Sequence, residues 1–263
     1  MTDRLAFLIT TALATVLVAL LVTAPTSQAT EPTASPVVLE LFTSEGCSSC
    51  PPADRLLAQL ADSDLDVVTL AYHVTYWDYL GWQDRFADQA WDKRQEAYAL
   101  TIADRRLYTP QVVVDGRWHT VGSDGQEVRD LFERAAAEPK PVRLHVSTTA
   151  NDNALEIALL AKTAQPLDGN VLLSLAVTEN KLSTPVGRGE NRGRELRHER
   201  VVHELIEVGV LAAGERTAKL ETTVSLDKAW NLDHVELVAL AHRPMPQAPS
   251  IGAMVGATQV AVR

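Results

Sequence analysis

The feature that most constrains the fold is a pair of cysteines in the segment TSEGCSSCPPAD, residues 43–54. Cys47 and Cys50 are the only cysteines among 263 residues, and they directly follow the apolar run VVLELF at residues 37–42. Two prolines come after the second cysteine, and proline fits a helix only in its first turn. We therefore expect a strand, the C-x-x-C motif and a helix in that order, with the helix beginning at one of residues 48–50 and a serine as its cap.

Three interpretations of the pair are open. In a redox dithiol, one thiolate attacks a disulfide and the second thiol resolves the mixed disulfide, and a helix N-terminus lowers the pKa of the attacking thiol. A structural disulfide over so short a loop would contribute only about 2 kcal/mol of chain entropy. A zinc site needs four ligands, and no partner motif is present, although a two-thiolate Cu(I) site stays open. The order of elements favours the redox dithiol, with Cys47 attacking and Cys50 resolving.

Residues 1–29 have the pattern of an export signal. Arg4 precedes an apolar stretch at residues 5–22, and the sequence SQA gives a cleavage site after Ala29. The alternative is an uncleaved membrane anchor, because the stretch is nearly long enough to span a bilayer. Export would place the cysteines in an oxidising compartment, where we expect them to form a disulfide.

The net charge of -10 argues against some partners. An acidic chain is poorly suited to bind nucleic acid or anionic membranes, so we expect membrane contact only if the signal is uncleaved. The expected partner is a protein or small-molecule thiol or disulfide in the cell envelope. The redox chemistry requires no organic cofactor, and we expect no metal.

After a polar linker at residues 30–36, hydrophobic patterns predict an α/β domain at residues 37–138. Asp115 and Gly116 give a hairpin signal between two short strands. The predicted strands lie at residues 37–42, 67–74, 111–114 and 117–121, and the helices at residues 51–60, 88–106 and from 123 or 124 to 137.

That order, with C-x-x-C between the first strand and the first helix, resembles thioredoxin. Thr109 and Pro110 directly precede the hairpin, where thioredoxin-like proteins carry a cis-proline that faces the dithiol; the resemblance implies that role for Pro110. The strings LFTSEGCSSCPPAD, YHVTYWDYLGW, YTPQVVVDG and GENRGRELRH are similar to an uncharacterised family of exported bacterial proteins with a thioredoxin-like domain. This resemblance implies a fold and a periplasmic or secreted location, but no substrate.

Aromatic residues are concentrated in the first half of the chain. All five tyrosines and four of the five tryptophans fall between residues 72 and 118. One interpretation is a groove beside the dithiol that binds an apolar or peptide partner, with Tyr76, Trp77, Trp82 and Thr109 as contacts. The other is an inserted helical segment that packs on the sheet with its own aromatic core.

Two titratable residues lie close to the expected active face. His73 ends the second predicted strand, and Glu45 lies two residues before Cys47. Either could transfer protons to or from the thiols, although a histidine in a strand more often serves structure.

Residues 142–263 predict an all-β C-terminal domain, a mostly antiparallel β-sandwich. Strands are expected at residues 142–149, 154–161, 171–177, 218–226, 234–242 and 258–262, whereas residues 198–208 fit a strand or a short helix. An arginine-rich loop, GRGENRGRELRHER, interrupts this pattern. Arg192 and Arg194 are candidates for binding a carboxylate or phosphate, and the alternative is a solvated loop whose arginines pair with neighbouring glutamates.

The function favoured by the sequence is an exported thiol-disulfide oxidoreductase. The alternative is a non-catalytic envelope protein on a thioredoxin-like frame, either a Cu(I) carrier or a module that docks a partner. A structural adhesion module is a third hypothesis. Burial of both sulfurs, or a position of Pro110 far from Cys47, would count against disulfide exchange.

Overall fold

The computed structural model describes residues 35–151 and 154–262. The predicted export signal at residues 1–29, its cleavage site and residues 30–34 of the linker lie outside the described residues.

The first elements form a β-α-β unit. β1 (Val37–Thr43) leads to α1 (Pro51–Ala61) and then to β2 (Val67–His73), which pairs with β1 in parallel. All seven residues of β1 are buried, as expected for a strand inside a sheet whose two faces are covered. α1 turns Leu57 and Leu60 towards β1, because residues three apart share a helix face.

An aromatic segment follows β2. It contains a short 3-10 helix (Thr75–Leu80) and α2 (Gln89–Thr101). α2 is shorter than the predicted helix at residues 88–106, because Asp104 and Arg105 have φ angles of 49° and 62°. A right-handed helix cannot continue through left-handed residues.

β3 (Gln111–Val114) and β4 (Trp118–Val121) form the predicted hairpin. Its turn residues Asp115 and Gly116 have φ angles of 49° and 64°, as a type I′ turn requires. β3 also pairs antiparallel with β1, so the hairpin extends the sheet beyond the β-α-β unit.

α3 (Gly125–Ala136) ends the first half of the chain. The Asp124 side chain caps it by accepting a hydrogen bond of 3.1 Å from the Glu127 N–H. Val128, Leu131 and Ala135 lie on its buried face and pack with α1 and β1.

The second half consists almost entirely of strands, and residues 201–208 are part of one of them. The strands are β5 (Val142–Ala150), β6 (Ala154–Thr163), β7 (Val171–Glu179), β8 (Leu182–Pro185), β9 (Glu195–His198), β10 (Val201–Leu211), β11 (Thr217–Ser225), β12 (Val235–Met245) and β13 (Ala248–Ala261).

Strands from both halves share one eight-stranded sheet in the order β13-β12-β7-β10-β2-β1-β3-β4. The halves join where β10 runs parallel to β2, with Val201 opposite Ala71. A three-stranded sheet, β11-β6-β5, packs on the C-terminal part of the large sheet, and β8 and β9 form a separate hairpin. Sandwich-like packing therefore exists in the second half, but the layout differs from the expected pair of separate domains at residues 37–138 and 142–263.

One of the hydrophobic clusters explains why the halves do not separate. Phe42, Tyr72 and Tyr98 from the first half pack with Val238 and Met254 from the second. Residues Ala34–Arg263 form a single compact unit. Within the described part of the chain, none of the helices has the length and apolar character needed to cross a membrane.

Candidate functional site

Cys47 and Cys50 are joined by a disulfide at the N-terminus of α1, with their Cα atoms 5.4 Å apart. Cys50 is the N-cap residue, and its carbonyl accepts hydrogen bonds from the N–H groups of Ala53 and Asp54. The expected serine cap is wrong. A capping side chain at position 49 would need an N–H from the second or third helical residue, and both of those positions are prolines.

Both cysteines are 0% exposed, whereas Ser48 and Ser49 between them face solvent. The Ser49 hydroxyl lies 3.3 Å from Cys47 Sγ. The disulfide is therefore enclosed in this state, and a partner can reach the sulfurs only if a covering group moves.

The Thr109–Pro110 peptide bond is cis and lies beside the motif. The Ser49 hydroxyl is 3.5 Å from the Thr109 carbonyl oxygen, so a single serine spans the space between this peptide and Cys47 Sγ. The Trp77 indole N–H donates a 2.7 Å hydrogen bond to Thr109 Oγ1 and fixes the threonine from the other side.

The three aromatic candidates serve the interior of the site. A Cβ atom added to Gly46 would lie 3.0 Å from Trp77 Cβ and 3.3 Å from the Trp77 carbonyl oxygen, so this close approach favours glycine at position 46. The Tyr76 hydroxyl donates to Gln95 at 3.0 Å, and the Trp82 indole N–H donates to Glu45 at 2.7 Å. The polar atoms of Tyr76, Trp77 and Trp82 therefore form hydrogen bonds with other side chains of this protein.

A buried cluster of acids and histidines lies around the segment that leads into the motif: Glu45, His73, Asp84 and His198. His73 Nδ1 is 2.7 Å from Asp84 Oδ2, which also accepts a 2.8 Å hydrogen bond from the Glu45 N–H. His198 Nε2 is 3.2 Å from Glu45 Oε1, and the two histidine rings are 5.0 Å apart between centroids. We call this group the acid-histidine cluster.

The electrostatics of the cluster favour a charged His73–Asp84 pair. Burial alone would lower the pKa of His73, but the Asp84 carboxylate outweighs it and raises the pKa above 6.5. Burial would raise the pKa of Asp84, but His73 and two backbone N–H groups hold it below 3.8. Asp54, in the first turn of α1, behaves differently: burial raises its pKa, and His198, His73 and the Thr43 hydroxyl oppose that rise only in part.

The second half of the chain also reaches the motif. The β8–β9 hairpin ends in a loop, residues 186–194, which we call the hairpin tip. The Asn191 side chain, which is fully buried, donates hydrogen bonds to the carbonyls of Glu45 and Cys47 at 2.8 and 2.9 Å. Glu190 accepts a 3.0 Å hydrogen bond from the Ser48 N–H.

The two arginine candidates have different surroundings. Arg194 donates a 2.9 Å hydrogen bond to Asn191 Oδ1, so its guanidinium group is paired within the hairpin tip. Arg192 is exposed and lines an open cavity of about 680 Å³ with Leu80 and neighbouring residues of the hairpin tip. Among residues 35–151 and 154–262, the His, Cys, Asp and Glu side chains form no group of three or more with the geometry to hold a metal ion.

Sequence reasoning placed Cys47, Cys50, Thr109, Glu45 and His73 in this region but missed three contributors: Asp84, Asn191 and His198. Asn191 lies 144 residues from Cys47, and a surface loop rich in arginine and glycine carries no local sign of such a contact. The arginine-rich loop and the string GENRGRELRH drew attention to this segment, but neither indicated a contact with the cysteines.

The fold and the site define an α/β protein with an enclosed two-cysteine disulfide at the start of a helix. The chain belongs to the family described as "Protein of unknown function (DUF1223)", whose profile matches residues 38–242. A comparison with curated proteins finds no match.

Two solved structures are similar over most of the chain. Protein AGR_C_4864 from Agrobacterium tumefaciens is 27% identical with a TM-score of 0.67, and the match covers 88% of this chain and 96% of that one. HBP35 of Porphyromonas gingivalis is 15% identical with a TM-score of 0.61, over 87% of this chain and 76% of that one. At that identity, the second similarity concerns the fold alone.

Proposed function

We propose that this chain is an exported thiol-disulfide exchange protein on a thioredoxin-like frame, with Cys47 and Cys50 as its reacting groups. The observation that carries the proposal is the disulfide at the N-terminus of α1 with the Thr109–Pro110 peptide beside it. The order β1, α1, β2, α2, β3, β4, α3 supports a thioredoxin-like frame for the first half. The export signal predicted at residues 1–29 would deliver the protein to the periplasm or beyond.

The exchange conserves electrons as follows. A thiolate of a substrate dithiol attacks one sulfur of the disulfide, the Cys47–Cys50 bond breaks, and a mixed disulfide forms. The second substrate thiolate attacks the substrate sulfur of the mixed disulfide, and the substrate leaves as a disulfide. Two electrons and two protons have then passed to Cys47 and Cys50, and the reverse reaction starts from the dithiol.

We assign the mixed disulfide to Cys47. Cys47 precedes α1, where the positive end of the helix stabilises a thiolate, and the Ser49 hydroxyl at 3.3 Å can donate a hydrogen bond to it. Cys50 lies at the cap position and, in the reverse direction, would attack Cys47 Sγ of the mixed disulfide and release the reduced substrate. Asp54 lies one turn further along α1, and its raised pKa suits a carboxyl group that takes up and releases a proton during exchange.

A second candidate is favoured by a specific observation, the 0% exposure of both cysteines. A disulfide that never opens to solvent would hold the shape of a docking module in the cell envelope and would exchange with nothing. In that case the partner binds elsewhere, and the Cys47–Cys50 bond has a structural role.

An exchange assay distinguishes the two. The chain from residue 35 onwards should accelerate dithiothreitol-driven insulin reduction, or the refolding of a scrambled disulfide protein, at least about tenfold over a C47S/C50S control. The single variant C50S should trap partners as mixed disulfides on Cys47, identifiable by mass spectrometry. Wild-type rates equal to those of the double variant, together with no trapped partner, would reject exchange in favour of the docking module.

A further inference from the structure

The β8–β9 hairpin is a compact attachment on the motif. Among the described strands, β8 and β9 pair only with each other, and the hairpin tip closes on itself through backbone hydrogen bonds between Val186 and Arg194 and between Gly193 and Val186. Leu196 in β9 and Val186 at the base of the hairpin tip are buried, at 7% and 3% exposure, and anchor the hairpin. Residues 187–193 belong to none of the hydrophobic clusters, so this part of the tip can move without opening them.

Asn191 is the main attachment of the tip to the motif. Its amide donates to the carbonyls on both sides of Gly46, at Glu45 and Cys47. Arg194 donates to Asn191 Oδ1 and so turns the amide nitrogen towards those carbonyls. A side chain with two donated bonds to one short loop, fully buried and oriented by a neighbour, is built to hold that loop in place.

The remaining contacts of the tip with the motif are few. Glu190 accepts one hydrogen bond from Ser48, at an exposed position. A Cβ atom on Gly189 would lie 3.5 Å from Trp82 Cβ and 4.0 Å from the Gly46 Cα atom, so the backbone of the tip passes close to Trp82 and to the motif. Arg188 and Arg192 point to solvent. The tip therefore meets the motif through the hydrogen bonds of Asn191 and Glu190, and a local opening that breaks such contacts costs less free energy than global unfolding.

We propose that the hairpin tip is a lid over the Cys47–Cys50 disulfide, that Asn191 holds it closed, and that the lid must lift before either sulfur can react. The proposal rests on the proposed exchange function and resolves its main difficulty, the enclosure of both cysteines. Asn191 is in this sense a positioning residue, since it acts on the motif through the backbone.

The test measures how fast dithiothreitol reduces the disulfide of the folded protein. Dithiothreitol becomes a cyclic disulfide, and its two electrons and two protons pass to Cys47 and Cys50, which a maleimide then labels for detection by mass. We expect N191A to be reduced about tenfold faster than wild type or more, since a loss of about 1.4 kcal/mol in lid closure corresponds to a factor of ten. The matched control is N170A, because the Asn170 side chain also bonds to the backbone, accepting from the Ala213 N–H, but on an exposed loop outside the site; its rate should equal that of wild type.

Urea separates lid opening from unfolding. Reduction through a local opening should depend little on low urea concentrations, whereas reduction through global unfolding rises steeply with urea. A second variant replaces residues 187–193 with Asn-Gly, a two-residue turn that closes a hairpin. It keeps Val186 and Arg194 but lacks the lid, and it should be reduced at least as fast as N191A.

The outcomes separate the lid from the function. Equal reduction rates for wild type, N191A and the shortened hairpin would overturn the lid, and so would a wild-type rate that follows global unfolding. Faster reduction in both variants, with no catalysis of exchange by any of the three proteins, would support the lid and reject the exchange function. Catalysis by wild type with unchanged rates in the variants would retain the function without the lid.

Discussion

At the scale of a single residue, Asp84 is the side chain that holds the buried side of the motif in place. Its Oδ2 accepts hydrogen bonds from His73 at 2.7 Å and from the Glu45 N–H at 2.8 Å, and its Oδ1 accepts from the Phe86 N–H at 3.0 Å. One carboxylate therefore connects the end of β2, the start of the motif and the segment before α2. The geometry of the motif depends on this connection, although Asp84 touches neither cysteine.

We expect D84N to destabilise the protein by about 3 kcal/mol or more, because removing one partner leaves a buried charge uncompensated. The amide NH2 group that this substitution introduces would also face the two groups, the His73 Nδ1–H and the Glu45 N–H, that donate to Asp84 Oδ2 in wild type, so donors would oppose donors. Urea unfolding at pH 6 measures the change. The control is D104N, whose carboxylate is exposed and 4.0 Å from Arg106, and which should change stability by less than about 1 kcal/mol. Equal effects of the two substitutions would contradict the role of Asp84.

The same pair predicts how stability changes with pH. The raised pKa of His73 means that its contribution is complete below about pH 6.5 and is lost as the pH rises through the folded-state pKa. The lowered pKa of Asp84 means that its contribution is complete above about pH 3.8 and is lost in more acidic solution. Asp54 and Glu45 also face His73.

Wild type should therefore lose stability as the pH rises from about 6.5 through the folded-state pKa of His73, because His73 then loses its proton. D84N should show a much smaller change over the same rise in pH, because burial lowers the pKa of His73 and the largest opposing contribution, from Asp84, is removed. Urea titrations at closely spaced pH values measure both slopes. A D84N slope as steep as that of wild type would assign the pH dependence to another group.

Sequence reasoning found the residues whose chemistry is local. A strand, two cysteines and two prolines in succession predict a disulfide at a helix start, and the structure contains that arrangement. Asn191 and His198 could not be found in this way, because their partners Cys47 and Glu45 are more than a hundred residues away and the contacts depend on how the hairpin folds back. Burial of the disulfide was missed for the same reason.

At the scale of elements, α2 is held on the sheet by three buried side chains that contact one another, Glu40, Arg94 and Tyr98. Arg94 Nε donates a 2.6 Å hydrogen bond to Glu40 in β1, and the Tyr98 hydroxyl donates to the same carboxylate at 2.6 Å. Arg94 also donates to the Ser250 carbonyl in β13, at 3.0 Å. α2 carries Gln95, which donates to the Tyr108 carbonyl at 2.8 Å next to Thr109. The position of the Thr109–Pro110 peptide therefore depends on how α2 is held.

Replacing only one member of this group should be worse than replacing all three. R94M leaves the Glu40 carboxylate buried without its cation and should cost about 3–5 kcal/mol. The triple variant E40M/R94M/Y98F removes the charges and the hydroxyl together, and should be more stable than R94M because apolar side chains of similar volume often replace a buried ion pair without loss. Chemical unfolding of the two variants is the measurement, and a triple variant less stable than R94M would show that the ion pair itself holds α2.

The elements that sequence patterns predicted have strong periodicity or distinct turn chemistry. The Asp115-Gly116 hairpin is an example, since few other residues accept two positive φ angles in succession. β8 and β9 were missed because each has four residues and carries no run of apolar side chains. β13 begins ten residues before the predicted strand at residues 258–262, because small residues and glycines such as Gly252 and Gly256 obscure its alternation.

At the scale of the molecule, the two halves complete one another. β10 continues the large sheet past β2, and the cluster that contains Phe42, Tyr72 and Tyr98 is closed by side chains of the second half. Lys140 links the halves as well, since its ammonium group donates to the Pro36 carbonyl and pairs with Asp115 at 2.8 Å. A reading of the sequence in blocks places a boundary at Pro139 and Pro141, because hydrophobic patterns report the faces of strands and not which strands pair across it.

A fragment of residues 35–138 should therefore fail to fold cooperatively, although it contains the motif and every helix and strand from β1 to α3. Without the second half, the free edge of β2 and its aromatic neighbours face water, and each large side chain left exposed forfeits about 1.5–3 kcal/mol. Such a loss exceeds what a domain of this size can spare, since total stabilities are about 5–15 kcal/mol. Circular dichroism during urea unfolding and amide shift dispersion in NMR spectra compare the fragment with the chain of residues 35–262, which should unfold in one transition. A sharp transition and dispersed spectra for the fragment would show instead that the first half is an independent domain, and that the second half only docks on it.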